Sequence, residues 1–180
     1  MPESGETVRT FVAVLLSEAA AREAERLLDR LRPLARCRWV PRAQLHITLR
    51  FLGELSPSAV ERVRSAVAAV TVQPFDIELH RAGAFPDLAR PRTLWLGGDR
   101  GASELTALAG RVDDALFEVG IPRDDRPFSP HLTLARSDGS PLPPALMREL
   151  ERVPSVAWRC SDISLMRSRL TPRGAVYTRL

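Results

Sequence analysis

Apolar and polar positions along this chain follow two periods, and the switches between them mark most of its elements. Thr10 to Leu16 (TFVAVLL) is a near-continuous apolar run, the pattern of a strand buried on both faces. Ser17 follows as a helix cap with Glu18 in the first turn, and Ala24, Leu27, Leu28, Leu31 and Leu34 repeat at helical spacing. Trp39-Val40 and Leu45 to Leu52 return to an extended pattern, which Gly53 is expected to end. Ser56-Pro57 caps and opens a second helix whose buried face is Val60, Val63, Val67 and Val70. Phe75 to Leu79 and Thr93 to Leu96 read as strands around a loop, Gly83 to Arg92, that holds two prolines. A third helical stripe (Leu105, Leu108, Ala109, Val112, Leu116, Val119) stops at Gly120, and a polar stretch from Pro122 to Pro130 leads into a strand at His131. Pro143-Pro144 opens a short helix through Leu150, and Ser155 to Leu165 and Ala175 to Leu180 close the chain as strands.

The order β-α-β-α-β-β-α-β-α-β-β looks like a degenerate internal duplication. It predicts an α+β fold of two pseudo-symmetric lobes, each with an antiparallel sheet and helices. No segment reads as an interdomain linker, so residues 1–180 are expected to form a single bilobal domain. Composition agrees: 44% hydrophobic and 27% charged over 180 residues suits a globular core of ordinary size. No apolar run approaches the roughly 18 residues of a membrane span. The first ten residues, MPESGETVRT, are acidic at the start and lack an apolar region, so no secretory leader is expected and the location is expected to be cytoplasmic. Two cysteines, Cys37 and Cys160, are too few for a disulfide framework. The net charge of +4 comes entirely from evenly spread arginines, which suits a polyanionic ligand without requiring one.

What changes the picture is a tetrapeptide used twice. His46-Ile47-Thr48-Leu49 recurs as His131-Leu132-Thr133-Leu134, and it takes two of the three histidines. In each copy His and Thr project to one strand face. Ile47, Leu49 and Phe51, or Leu132 and Leu134, are expected on the other. Two such strands lining a central groove would put two imidazoles and two hydroxyls around one ligand. One histidine can take a proton while the other gives one, because imidazole titrates near working pH. The threonine hydroxyls can donate to the non-bridging oxygens of a phosphate. Arg50 shares the parity of His46 and Thr48. Arg136, a candidate phosphate clamp, has the wrong parity and needs a bulge or a strand end to turn it. His80 repeats no motif; Trp39, Trp95, Trp158 and Tyr177 read as core, with base stacking as the alternative. Arg123 and Arg126 sit beside Asp124 and Asp125 in what reads as a solvated loop.

These residues together resemble the two-histidine phosphoesterase superfamily, in particular its RNA 2′,3′-cyclic phosphodiesterase branch, also called 2′-5′ RNA ligases. The resemblance runs from RTFVAVLL through Trp39-Val40, HITLRFLGEL, the GAFP segment at residues 83–86 and TLWLG to PHLTLAR, nearly the whole chain. It implies hydrolysis of an RNA or nucleotide 2′,3′-cyclic phosphate to a 2′-phosphate, without metal or other cofactor, with 2′-5′ ligation as the reverse chemistry. By that resemblance His46 is the donor to the leaving O3′, His131 the base on water, and Thr48, Thr133 and Arg136 bind the phosphate. The residues themselves do not fix which histidine is which. The implied partners are RNA 3′ ends or nucleotides carrying the cyclic phosphate, met by a monomer. Two alternatives stand beside this reading: a non-catalytic module that binds RNA phosphodiesters, and the same chemistry on another cyclic phosphate, such as one derived from ADP-ribose.

Overall fold

The computed structural model describes residues 7–180, so the acidic start of the chain lies outside the described residues. In chain order the elements are β1 (Val8–Leu15), α1 (Glu18–Leu31), β2 (Arg38–Trp39), β3 (His46–Leu55), α2 (Pro57–Ala69), β4 (Phe75–Leu79) and β5 (Arg81–Phe85). They continue with β6 (Thr93–Gly97), α3 (Ala102–Glu118), β7 (Leu132–Arg136), α4 (Pro144–Leu150), β8 (Val156–Cys160), β9 (Ser164–Thr171) and β10 (Gly174–Arg179). The helix starts follow their sequence signals. Ser17 Oγ accepts from the Ala20 amide at 3.1 Å, and Ser56 Oγ from the Ala59 amide at 3.3 Å. Among the described residues no helix is long and apolar enough to cross a membrane.

Two antiparallel sheets carry one motif each: β10-β9-β1-β3 holds the first and β2-β7-β6-β5 the second, with β4-β8 as a separate ribbon. The lobes do not follow the two halves of the chain. β1 and β3 share their sheet with the last two strands, and β2 pairs with β7. The helices cross as well, α1 packing on β8 and α3 on β3 and α2. One buried cluster therefore runs through both lobes, joining Leu27, Leu28 and Leu31 of α1 to Ile47, Leu108, Leu116, Leu132 and Leu134.

Three boundaries differ from expectation. Gly53 does not end its strand; with φ 70° it sits inside β3, which pairs with β1 as far as Leu55. The segment expected to loop from Gly83 begins instead as the end of β5, paired with β6. There Gly83 lies opposite Trp95, and a Cβ would fall 2.3 Å from the indole ring, so only glycine lets that ring lie across the strand. The run from Ser155 to Leu165 is two strands, because β8 pairs with β4 and β9 with β1.

The bulges matter most for the site. Ala13 pairs with Thr48 and Val12 with Arg50, so Leu49 is an extra residue in β3. Trp95 pairs with Thr133 and Leu94 with Ala135, so Leu134 is the extra residue in β7. Both fall on the fourth motif position. An extra residue reverses the alternation beyond it. Phe51 is consequently opposite Phe11, on the face of His46 and Thr48, and 52% exposed rather than packed in the core. Arg50 is turned off that face, contrary to its parity. In β7 the same device brings Arg136 opposite Thr93 and onto the face of Thr133.

Candidate active site

Each histidine is held by the carbonyl two residues before it. His46 Nδ1 lies 2.6 Å from Gln44 O, and His131 Nδ1 lies 2.7 Å from Ser129 O. A carbonyl only accepts, so in both rings Nδ1 carries the proton and Nε2 is left as the working nitrogen. His46 Nε2 is 2.9 Å from Thr48 Oγ1. Gln44 is itself fixed, its side-chain amide donating to the Ala175 carbonyl of β10. The His46 ring packs against Phe11 and Tyr177, with centroids at 4.8 and 5.4 Å. His131, immediately before β7, meets Phe85 edge to face at 4.9 Å, and Phe85 leans on Trp95 at 5.3 Å.

Both imidazoles are half-buried and both are held below the ordinary histidine value of 6.5. Burial is the main cause in each, opposed by the bond to the Gln44 or Ser129 carbonyl. The two sites also feel charge: His131 lowers His46, and Arg136 lowers His131. The described arrangement is therefore two oriented imidazoles near one another, each in surroundings that favour its neutral form, with a guanidinium beside the second. The Arg136 head donates to Thr93 Oγ1 at 3.1 Å.

A cavity of about 580 Å³ opens between the strand of the first motif and the start of the second. Thr48 and His131 line it together with Phe51, Phe85 and Phe128 and the arginines Arg50 and Arg126, and Thr106, Ala109 and Gly110 of α3 form its floor. Thr133 is half-buried on its strand face opposite Trp95, and His46 faces its aromatic neighbours; neither lines this cavity. Arg50, 11% exposed, lines the same cavity and reaches toward α3. Its Nε lies 3.1 Å from Asp113 and its Nη1 3.0 Å from Asp124, and Nη2 donates to the Pro122 carbonyl. Arg126 also pairs with Asp124, at 3.1 Å, and holds its carboxyl down to about 2, with Arg50 adding to the effect. Arg123 bridges Asp113 and Asp114 and lies over the Phe117 ring at 4.6 Å. His80 is exposed and Trp158 belongs to the core. Among the described residues no three His, Cys, Asp or Glu side chains gather as metal ligands do.

Sequence reasoning singles out the two histidines, the two threonines and Arg136 as candidates, but not the anchors that hold the rings. Gln44 and Ser129 act through backbone carbonyls, which carry no side-chain signal. Nor does the α3 floor show, since its residues are small and unremarkable in a helical stripe. Tyr177 is the exception: an aromatic in the last strand is a candidate from sequence alone, and it lies against His46.

Comparison with known proteins gives the same pattern over most of the chain. Residues 17–172 match the model of the 2′-5′ RNA ligase superfamily. The RNA 2′,3′-cyclic phosphodiesterase of Aeropyrum pernix is 38% identical over 138 residues, 75% of this chain and 78% of that protein. The protein of the same name from Archaeoglobus fulgidus is 33% identical over 171 residues, 94% of this chain and 96% of its own. Among solved structures, the TT0787 protein of Thermus thermophilus superposes with a TM-score of 0.78 at 33% identity, covering 96% of this chain and 94% of its own. Escherichia coli LigT complexed with 3′-AMP gives a TM-score of 0.77 at 26% identity, covering 97% and 96%.

Proposed function

The chain belongs to the 2′-5′ RNA ligase superfamily, and from that premise we propose that it opens the 2′,3′-cyclic phosphate of RNA ends or nucleotides to a 2′-phosphate. One observation carries the reading: the repeated motif gives two imidazoles, each locked at Nδ1 by a carbonyl and left with Nε2 for proton transfer. Water attacks phosphorus opposite O3′, the new P–O bond forms as P–O3′ breaks, and O2′ keeps the phosphate. His131 takes the water proton and His46 delivers one to O3′. We assign the base to His131 because Arg136 beside it opposes the imidazolium. The acid is then His46, the other imidazole of the pair, whose ring the Gln44 carbonyl orients. Thr48 and Thr133 donate to the non-bridging oxygens and Arg136 pairs with their charge. In this reading residues 1–180 act as one bilobal unit, with the two motif strands lining its groove, as a cytoplasmic monomer without metal or cofactor.

The test is incubation of the purified protein, with EDTA, with nucleoside 2′,3′-cyclic phosphates and a short RNA ending in one. A 2′-phosphate product is expected. A 3′-phosphate would overturn the assignment of the leaving oxygen, and no turnover would overturn the activity.

The lowered imidazoles set the pH dependence. The base works above its own titration and the acid below its own. A bell-shaped kcat/KM therefore peaks midway between the pair's two apparent values, whichever belongs to which ring. Both lie below 6.5 in the free protein, so kcat/KM is expected to peak on the acid side of 6.5. A peak on the alkaline side, or a flat profile, would contradict the two-imidazole scheme.

A further inference from the structure

We propose that Arg38 binds a second phosphate, the phosphodiester on the 5′ side of the terminal nucleoside, so that the enzyme prefers the end of an RNA chain to a lone nucleoside cyclic phosphate. The inference rests on the phosphodiesterase reading above and deepens it. Its first ground is the register of the second sheet. Arg38 of β2 is the cross-strand partner of Arg136, Arg136 of Thr93, and Thr93 of Phe85. Directly opposed residues project from the same face of a sheet. These four therefore form one row on the face of Thr133, running from edge strand β2 to edge strand β5, where Phe85 meets His131.

Local structure fixes that direction. Arg38 is exposed, while Trp39, next along, turns the other way and packs against the core. The Trp39 indole donates to the Ala35 carbonyl at 3.2 Å, and the Val40 amide donates to the Leu134 carbonyl at 2.8 Å. A strand of only two residues is thereby held in register, with Arg38 on its outer face.

The second ground is charge. Like charges directly opposite one another on a strand pair are destabilising. Arg38 and Arg136 stand so, and among the described residues neither is in an ion pair. The bond that Arg136 makes goes to the neutral hydroxyl of Thr93. Arg50, Arg123 and Arg126, by contrast, are all paired with aspartates. The repulsion between Arg38 and Arg136 is left for a ligand to relieve. The scissile cyclic phosphate carries a single negative charge, which the reading above gives to Arg136. Arg38 lies one strand further out, about 5 Å between backbones, and is left for another anion. In an RNA that ends in a cyclic phosphate, the nearest other anion is the phosphodiester joining the terminal nucleoside to the chain. A lone nucleoside cyclic phosphate has none.

The experiment compares kcat/KM for two diadenosine substrates that end in a 2′,3′-cyclic phosphate. One has a phosphodiester between its nucleosides and the other an uncharged methylphosphonate, each with a 2′-O-methyl group on the first nucleoside to keep the linkage intact. They differ in one charge and share both bases. Wild type is expected to prefer the charged form about fivefold, the upper range for an exposed ion pair. Arg38→Gln is expected to bring that ratio toward one, and Arg38→Lys, which keeps the charge, to hold most of it, with thermal unfolding checking that both variants fold. Equal rates on the two substrates in wild type, an undiminished ratio in Arg38→Gln, or a ratio in Arg38→Lys as low as in Arg38→Gln would overturn the assignment. Calorimetric titration of the same two dinucleotides, ending instead in a 2′-phosphate, separates the two readings. A charge preference in affinity that Arg38→Gln removes, in a protein that turns over neither substrate, keeps the Arg38 contact and removes the phosphodiesterase. An affinity that ignores the charge, in such a protein, removes the contact as well.

Discussion

Replacing His46 or His131 by alanine is expected to lower kcat for cyclic-phosphate opening by about two orders of magnitude or more, the usual worth of a positioned acid or base. The effect should be similar for the two, because each carries one of two proton transfers in the same displacement. The double variant should lose little beyond the worse single one, since residues that act as a unit are far from additive. The threonines should cost less. Thr48→Ala or Thr133→Ala removes one hydrogen bond from a neutral hydroxyl to the anionic phosphate, worth about 1.5 kcal/mol or somewhat more, so about tenfold or somewhat more in rate. Folding should survive all of these, because both histidines are half-buried and Ile47, Leu49, Leu132 and Leu134, which anchor their strands, are untouched. Single-turnover rates with a nucleoside 2′,3′-cyclic phosphate, alongside thermal unfolding, check both halves of the statement. Wild-type rates in either histidine variant would sink the acid–base assignment.

The reason this much is legible in the sequence is that the chemistry repeats. Two His-x-Thr strands on a period of two announce a shared face, and caps at Ser17 and Ser56 with the stripes of α1, α2 and α3 announce the helices that cover it. What the local pattern hides is register. Whether Leu49 or Leu134 is an ordinary strand residue or an extra one depends on pairing with β1 or β6, which lie far away in the chain. Those two bulges decide that Phe51 joins His46, that Arg50 leaves it, and that Arg136 turns toward Thr133. A strict alternation gets all three wrong, and Arg136 makes sense as a phosphate clamp only with the bulge. The partnership of lobes is hidden for a similar reason. A duplicated pattern suggests two self-contained halves, but α1 packs on β8 and α3 on β3, so each half covers the other. The cavity floor follows from that exchange.

Arg50→Met is the other substitution expected to have a large effect, and here stability and rate should fall together. Its guanidinium is 11% exposed; it forms ion pairs with Asp113 on α3 and with Asp124, and donates a hydrogen bond to the carbonyl of Pro122. Methionine keeps the bulk but leaves two carboxylates, 19% and 27% exposed, without that partner. Breaking a buried pair from one side costs about 3 kcal/mol or more; the low end applies because Arg126 and Arg123 still reach Asp124 and Asp113. The rate should drop because the segment pinned at Pro122 and Asp124 runs on to Ser129, whose carbonyl orients His131. Loosening it misaligns the base, and in the His131→Ala background the same substitution should have little further effect on rate. Arg50→Lys should restore little, as one ammonium cannot span three separated acceptors. Acid should change that loss little, because Asp124 is depressed to about 2 chiefly by its bonds to Arg126, which the substitution leaves in place, and least by Arg50. Urea unfolding of both proteins between about pH 7 and pH 4 should therefore show a nearly constant gap. A variant within about 1 kcal/mol of wild type at neutral pH, with unchanged kcat, would mean that this arginine fastens nothing the site depends on.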